Sequence, residues 1–142
     1  REYLALLEGV LKEESGRVET LIGRDPKDRL KMAVLPAGGR RAVTQFSVVE
    51  RFPAHTLVHF TLQTGRTHQI RVHAKYLGHP VVGDKVYGYK KQRFALEGQL
   101  LHAFRLTLTH PRTGERMTFE APLPEDFENV LALLRRERGR EE

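Results

Sequence analysis

The sequence contains no cysteine, no tryptophan and no apolar run of membrane-spanning length. The absence of cysteine excludes disulfide bonds and cysteine-ligated zinc, and it is typical of a protein in a reducing compartment. No membrane span is predicted, since one needs about 18 apolar residues, and the first residues do not have the pattern of a signal peptide. There is also no P-loop and no dinucleotide-binding glycine fingerprint. We therefore expect a cytoplasmic protein with no membrane partner and no nucleotide cofactor.

The chain has 142 residues, which is enough for one domain with a single core. It contains 24 lysines and arginines against 18 acidic residues, which gives a formal net charge of +6 and a pI near 9.9. This excess favours a polyanionic partner, although many proteins that bind none have a similar charge. Charge alone does not decide the function.

Alternating apolar residues predict a fold rich in antiparallel strands. Strands are predicted at residues 3–10, 41–50, 56–63, 100–109 and 116–121, with a short extended piece at 17–20. Residues 23–36 are rich in charge and contain two prolines, which predicts a loop. After Pro124, apolar residues at helical spacing predict a helix that packs one face on the sheet. The predicted class is α+β, with a mostly antiparallel mixed sheet, a few helices packed on one side and a frayed tail at 139–142.

A dense set of polar side chains lies between a predicted strand end and a short predicted helix. Gly65 supplies the turn, Thr67 is the predicted N-cap and Gly78 is the predicted left-handed C-cap. The apolar residues that share one helix face are Ile70, Ala74 and Leu77. The donors near the helix N-terminus are Arg66, His68, Arg71, His73 and Lys75. Such a cluster is typical of a phosphate-binding site, and a solvated cationic helix face explains it equally well.

The sequence of this region resembles the signature of the RluA-type family of RNA pseudouridine synthases. The motif T-G-R-T-H-Q-I-R-V-H occupies residues 64–73, and G-H-P-V-V-G-D-K-V-Y-G follows at 78–88. Further segments at 3–9, 23–34 and 100–122 are similar to other parts of the family pattern, so the resemblance covers nearly the whole chain. It implies a pseudouridine synthase catalytic domain that needs neither a cofactor nor a metal.

The resemblance also implies three catalytic residues. Tyr3 would stack on the uracil and assist proton removal from C5, and Ile70 would pack beneath the base or the tyrosine. Arg71 would pair with the nucleophilic aspartate, which in the family lies upstream in an H-R-L-D motif. The aspartates of this chain are Asp25, Asp28, Asp84 and Asp126, and none has that context. We therefore expect residues 1–138 to be the incomplete C-terminal portion of a catalytic domain, inactive alone, with Asp84 serving as a structural acceptor.

The expected partner is RNA, with ribosomal RNA favoured over transfer RNA. The candidate RNA-binding residues are Arg66, Thr67, His68, Gln69, Lys75, Arg24 and Lys31. Helix capping and local structure explain the first four equally well, and the loop residues also suit a solvated loop. The oligomeric state stays open.

Two other classes of function remain. A non-catalytic RNA-binding module could keep the fold and the basic surface, although such a module does not need the partners of an aspartate nucleophile. A metal-dependent hydrolase could use His68, His73 and His79, but their spacing does not place them on one helix face as H-E-x-x-H does.

Overall fold

The computed structural model describes residues 1–141. Within these residues, seven strands and two helices follow one another: β1 Glu2–Glu8, β2 Ser15–Arg24, β3 Met32–Leu35, β4 Arg40–Arg51, β5 His55–Leu62, α1 Gln69–Tyr76, β6 Leu101–Thr109, β7 Arg116–Glu120 and α2 Glu125–Glu141. None of the helices in this part of the chain is long and apolar enough to span a membrane.

The seven strands form one sheet in the order β3-β2-β4-β5-β1-β6-β7. Every neighbouring pair is antiparallel. The first strand of the chain therefore lies inside the sheet, where Tyr3 is paired with Phe60 of β5 and with Ala103 of β6. This position places Tyr3 beside the loop that connects β5 to α1.

The two helices cover opposite faces of the sheet. Helix α1 buries Ile70 and Ala74 against a cluster that includes Leu7 of β1. Helix α2 buries Phe127, Val130, Leu131 and Leu134 in a second cluster with Leu6. Because neighbouring strand residues point to opposite faces, the sheet is sandwiched between the helices. The expectation of helices on one side was therefore wrong, since strand alternation at Leu6 and Leu7 makes both faces apolar.

The predicted loop at residues 23–36 contains strand β3. Met32 and Val34 pair with Arg24 and Ile22, so β2 extends well beyond the predicted piece at 17–20. The turn between the strands is held by Asp25, whose carboxylate accepts the Lys27 N–H. The prediction of a loop was therefore wrong for residues 32–35. Pairing with β2, and not local composition, makes β3 extended.

Helix α2 continues through Gly139 to Glu141, so the predicted tail at 139–142 begins with helical residues, and residue 142 lies outside the described part of the chain. The helix is tied to the end of β4, because Glu50 accepts hydrogen bonds from Arg135 and lies 2.7 Å from Arg138. These contacts fix α2 across the face opposite to α1.

The sequence predicted the C-terminal end of α1 correctly but not its N-terminal end. The C-terminus has the expected glycine cap: Gly78 has φ 85°, its N–H donates to Lys75, and the His79 N–H donates to Ala74. The N-terminus does not, since the N-cap is His68 with φ 56° and makes no side-chain cap. The prediction of Thr67 was wrong because residues 66–69 form a turn, in which the Gln69 N–H donates to the Arg66 carbonyl and the Gln69 side chain accepts the Arg66 N–H, so the helix starts one residue later.

Candidate active site

An open cleft of about 370 Å³ lies beside the N-terminus of α1, between the first residues of β1 and the end of β5. Its lining residues are Arg1, Tyr3, Leu62, Gly65, Arg66, His68, Gln69, Ile70, Arg71, Gln99 and Leu101. The three residues expected to be catalytic, Tyr3, Ile70 and Arg71, are therefore brought together from β1 and α1.

Tyr3 and Ile70 form an apolar part of the cleft wall. Tyr3 is half-buried and packs against the same hydrophobic cluster to which Ile70 belongs. Ile70 is 4% exposed, so it is a core residue that also contributes to the cleft surface. Both sequence interpretations of Ile70 fit this position. A tyrosine ring resting on an aliphatic core is a rigid surface on which a flat base could stack.

Arg71 is held by a carboxylate of its own chain. Its Nε lies 2.7 Å from Asp84 Oδ2 and its Nη2 lies 2.9 Å from Asp84 Oδ1, which is a bidentate pair. Asp84 also accepts hydrogen bonds from the backbone N–H groups of Val86 and Tyr87. The sequence predicted these backbone bonds, but it did not predict the contact with Arg71. Within residues 1–141, Nη1 of Arg71 makes no hydrogen bond.

The protonation states of this pair are fixed by their contact. Burial raises the pKa of the Asp84 carboxyl, but hydrogen bonds from Arg71 and from the Tyr87 N–H outweigh it and leave the pKa below its ordinary value. The bonds to Asp84 in turn raise the pKa of Arg71. Both groups are charged at neutral pH, so the cleft presents a permanent guanidinium.

Tyr87 connects the cleft to the β2–β3 hairpin. Its hydroxyl accepts the Met32 N–H at 2.9 Å and lies 2.7 Å from His68 Nδ1. Burial, followed by the charge of Arg71, lowers the pKa of His68, so this imidazole is neutral at pH 7. Since the tyrosine oxygen already accepts from Met32, its proton is free to donate to Nδ1. In the tautomer that accepts this proton on Nδ1, His68 carries its own proton on Nε2.

Gln69 was expected among the RNA-binding residues, and the structure shows its side-chain polar atoms bonded within the protein. Its side-chain oxygen accepts from Thr64 and from the Arg66 N–H, and its amide nitrogen donates to Val43 and Thr44. Both acceptor and both donor positions are thus used inside the protein, and the residue is 3% exposed. Gln69 fixes the turn between β5 and α1 to strand β4.

The other predicted RNA-binding residues lie in two groups. Arg66 lies in the cleft, where its Nε donates to the Arg41 carbonyl, and Thr67 is exposed next to it. Lys75 instead lines a separate cavity of about 240 Å³ between α1 and β3. Lys31 lies near that cavity, with its Nζ 5.9 Å from the centre of the Tyr87 ring. Arg24 is exposed on the hairpin and donates to the Arg29 carbonyl.

His73 is unsuited to the metal site considered from the sequence. It is fully buried, and its two ring nitrogens lie 2.8 Å from the Thr20 hydroxyl and 2.7 Å from the Thr44 hydroxyl. Both nitrogens are therefore already engaged. His79 is also occupied, since its Nδ1 lies 2.9 Å from the Glu8 carbonyl oxygen. These histidines serve the fold of α1 and its neighbouring strands.

Asp84 and Tyr87 are the site residues that sequence reasoning missed. Both belong to the second half of the signature, G-D-x-x-Y-G at residues 83–88, where a turn with Asp84 as a structural acceptor was expected and no site residue. The available signal was the presence of an acidic and an aromatic residue in a motif next to a helix rich in donors. Nothing in the spacing identifies their partners, because Asp84 contacts Arg71 across 13 positions of the chain.

The RNA pseudouridylate synthase family model matches residues 1–76. A Neisseria meningitidis protein named ribosomal large subunit pseudouridine synthase D is 46% identical over 149 residues, which cover 98% of this chain and 40% of that protein. An uncharacterized RNA pseudouridine synthase of Bacillus subtilis is 50% identical over 136 residues, with 96% of this chain and 44% of the relative covered. The chain thus spans less than half the length of these curated relatives.

Solved structures show the same fold. Human RNA pseudouridylate synthase domain containing 1 is similar with a TM-score of 0.75 and 29% identity, over 94% of this chain and 64% of the human chain. Human RNA pseudouridylate synthase domain containing 4 shares the fold with a TM-score of 0.74 and 24% identity, over 94% and 61% of the two chains. The family resemblance and the α+β class predicted from the sequence are both confirmed.

Proposed function

This chain belongs to the RNA pseudouridylate synthase family, and we propose that it forms the C-terminal part of the catalytic domain of an enzyme that converts uridine to pseudouridine in structured RNA. The observation that carries the proposal is that Tyr3, Ile70 and Arg71 line one cleft. A module that only binds RNA has no need for residues that serve an aspartate nucleophile.

The reaction is an isomerisation of the nucleoside. The bond between ribose C1′ and uracil N1 breaks, the base turns, and a bond forms between C1′ and C5. The C5 proton is released and N1 gains a proton, so atoms balance without a cofactor. The target base must leave its stack to reach the cleft. There Tyr3 would stack on the uracil and its hydroxyl would assist removal of the C5 proton, while Ile70 supports the ring.

Arg71 would hold the nucleophilic carboxylate, which the proposal assigns to a segment upstream of this chain. The pair with Asp84 occupies Nε and one side of Nη2, so Nη1 is available for a second carboxylate. At about 4 Å, a guanidinium and a carboxylate attract by roughly 4 kcal/mol at an effective dielectric near 20. That attraction would keep the nucleophile ionised in a partly dehydrated cleft.

RNA would be held by the basic residues around the cleft and on the hairpin. Arg66, Thr67 and His68 would contact the phosphates that flank the target. Lys75, Lys31 and Arg24 would contact a more distant part of the backbone along the β2–β3 hairpin. Ribosomal RNA in the cytoplasm is the proposed substrate, supported by the names of relatives that contain the words ribosomal large subunit.

The test measures tritium release from RNA labelled at C5 of uridine. It compares this chain with an extended protein, meaning this chain joined to the coding sequence upstream of it. Unmodified ribosomal RNA and transfer RNA are supplied in separate reactions. We expect no release by the chain alone and release from ribosomal RNA by the extended protein. The Arg71→Ala variant of the extended protein should be inactive.

Two results would overturn the proposal. Release by the chain alone would show that a nucleophile lies within these residues. An extended protein that binds the RNA but releases no tritium would identify a binding module of the same fold. Release from transfer RNA only would correct the substrate and leave the reaction intact.

A further inference from the structure

We infer that Asp84 is a positioning residue that fixes the Arg71 guanidinium so that its Nη1 edge faces the cleft. The inference rests on the proposed function for its catalytic meaning, while the geometry itself can be tested without RNA. Asp84 is buried and is not among the residues that line the cleft, whereas Arg71 is.

The contact restrains the guanidinium in its own plane. The two Asp84 oxygens accept hydrogen bonds from Nε and Nη2, and this bidentate pairing leaves one orientation for the planar guanidinium. The Tyr87 ring lies 4.9 Å from Arg71 Cζ and covers a face of the same group. Two residues of one turn thus fix both the direction and the plane of Arg71.

The turn that carries Asp84 is itself rigid. Two backbone N–H groups, from Val86 and Tyr87, hold Oδ1 at 3.1 and 3.0 Å. Gly83, which precedes it, has φ 85°, and a Cβ there would lie 2.5 Å from the Gly98 carbonyl oxygen. The backbone can pass this point only as glycine, so the position of the carboxylate is set by the fold.

Stability alone does not account for this pair. The Asp84 side chain has no solvent exposure and Arg71 has 12%, so both charges are largely removed from water. Desolvation offsets most of the attraction in such a pair, and apolar residues of similar size would stabilise a core at least as well. A charged cleft residue does need a fixed orientation, because misplacement of a reacting group by about 1 Å can cost about 100-fold in rate.

The first experiment uses Asp84→Asn in the extended protein. The amide oxygen can keep the two backbone hydrogen bonds, while the amide nitrogen replaces Oδ2 and opposes the Arg71 Nε–H donor. We expect the single-turnover rate of tritium release to fall about 10- to 100-fold, with the Kd for RNA unchanged within about twofold. The matched control is Glu50→Gln, the same chemical change in an ion pair with Arg135 on the opposite face, which should keep the wild-type rate.

A double-mutant cycle tests whether Asp84 acts through Arg71. In an Arg71→Lys background the bidentate fork is absent, so Asp84→Asn should cause little further loss of rate. Losses that multiply independently, or a wild-type rate in Asp84→Asn, would overturn the inference.

Asp84→Glu is the second variant, because it keeps the charge and moves the carboxylate by one methylene. It should also lower the rate if orientation matters.

The second experiment needs no activity and separates the inference from the proposed function. In this chain, the Arg71 Nε–H should give a resolved NMR signal that exchanges slowly with water. Asp84→Asn should abolish that protection and Glu50→Gln should preserve it. An unchanged Arg71 signal in Asp84→Asn would overturn the inference. An extended wild-type protein that releases no tritium would reject the proposed function, and the NMR result would still decide whether Asp84 holds Arg71.

Discussion

His73 on helix α1 and Thr44 on strand β4 are joined by a 2.7 Å hydrogen bond in the interior of the protein. The other ring nitrogen of His73 lies 2.8 Å from the Thr20 hydroxyl on the neighbouring strand β2. One imidazole thereby attaches the helix that carries the cleft residues to two strands. Because it is fully buried, its pKa is lowered to about 4.

This burial predicts that the protein loses stability in mild acid. In the unfolded chain His73 takes up a proton near pH 6.5, whereas in the folded chain it does so only near pH 4. The unfolded state therefore binds more protons between these values, and the free energy of unfolding should decrease by roughly 3 kcal/mol as the pH falls through that window. Urea denaturation at several pH values from 7.5 to 4 measures it.

The His73→Gln variant is the control for that measurement, because its amide can bond to a threonine hydroxyl but does not titrate. Its stability should be lower at pH 7.5 and should change less between pH 6.5 and 4.5. Parallel pH curves for the two proteins would show that His73 is not the group responsible.

Local pattern was enough to predict those parts of the site that a single segment specifies. The spacing of Ile70 and Ala74 and the glycine at 78 predicted α1 and its C-terminal cap, which the structure has. The prediction of the N-cap was wrong because the turn before the helix is held by Gln69, whose side-chain amide donates to the Val43 carbonyl on strand β4. Strand β3 was not predicted for a similar reason, since its pairing with strand β2 makes it extended. What the sequence pattern lacks is the partner of each side chain, since Arg71 and Asp84 meet only after the chain has turned.

The contact between α2 and β4 should contribute a modest amount of stability. Glu50 is bonded to Arg135 and Arg138, and hydrogen bonds from Arg135 are the main reason that its pKa lies below the ordinary value of 4.5. Glu50→Gln should lower the free energy of unfolding by about 1 kcal/mol at pH 7, as is typical of a partly exposed network. Chemical denaturation of the two proteins measures this difference.

The pH dependence of that difference has a definite sign. A carboxyl with a lowered pKa in the folded state stabilises the protein above its ordinary pKa, and the stabilisation is lost as the pH falls through the lowered value. The gap between wild type and Glu50→Gln should therefore close below pH 4.5. Glu97→Gln, which changes an exposed glutamate, should have the same free energy of unfolding as the wild type both at pH 7 and below pH 4.5. A gap that persists in acid would contradict the ion-pair explanation.

The turn at residues 83–88 should tolerate no side chain at its first position. Gly83→Ala would force alanine into a left-handed conformation and place its Cβ 2.5 Å from the Gly98 carbonyl oxygen. We expect a loss of more than about 1 kcal/mol. Gly98→Ala is the matched control, since nothing lies within 4 Å of its Cβ and its φ is not positive, and it should be neutral or slightly stabilising. Equal melting temperatures for the two variants would contradict this account of the turn.

Arg66 provides the sharpest test of RNA contact at the cleft. Its Nε is held by the Arg41 carbonyl, so the two Nη groups have a defined position next to the cleft. If they contact a phosphate, Arg66→Ala should weaken binding of the extended protein to RNA about equally for different sequences. It should also reduce the slope of log affinity against log salt by roughly 0.7 to 0.9, the value for one phosphate contact.

The control for Arg66→Ala is Arg136→Ala, which removes an equal charge from an exposed position on α2, across the sheet from the cleft. Binding is measured by fluorescence anisotropy with a labelled ribosomal RNA stem–loop at several salt concentrations. A contact at the cleft predicts that Arg66→Ala alone changes the slope. If both variants lower the affinity by the same factor, the effect is that of net charge, and Arg66 serves only to hold the turn through Arg41.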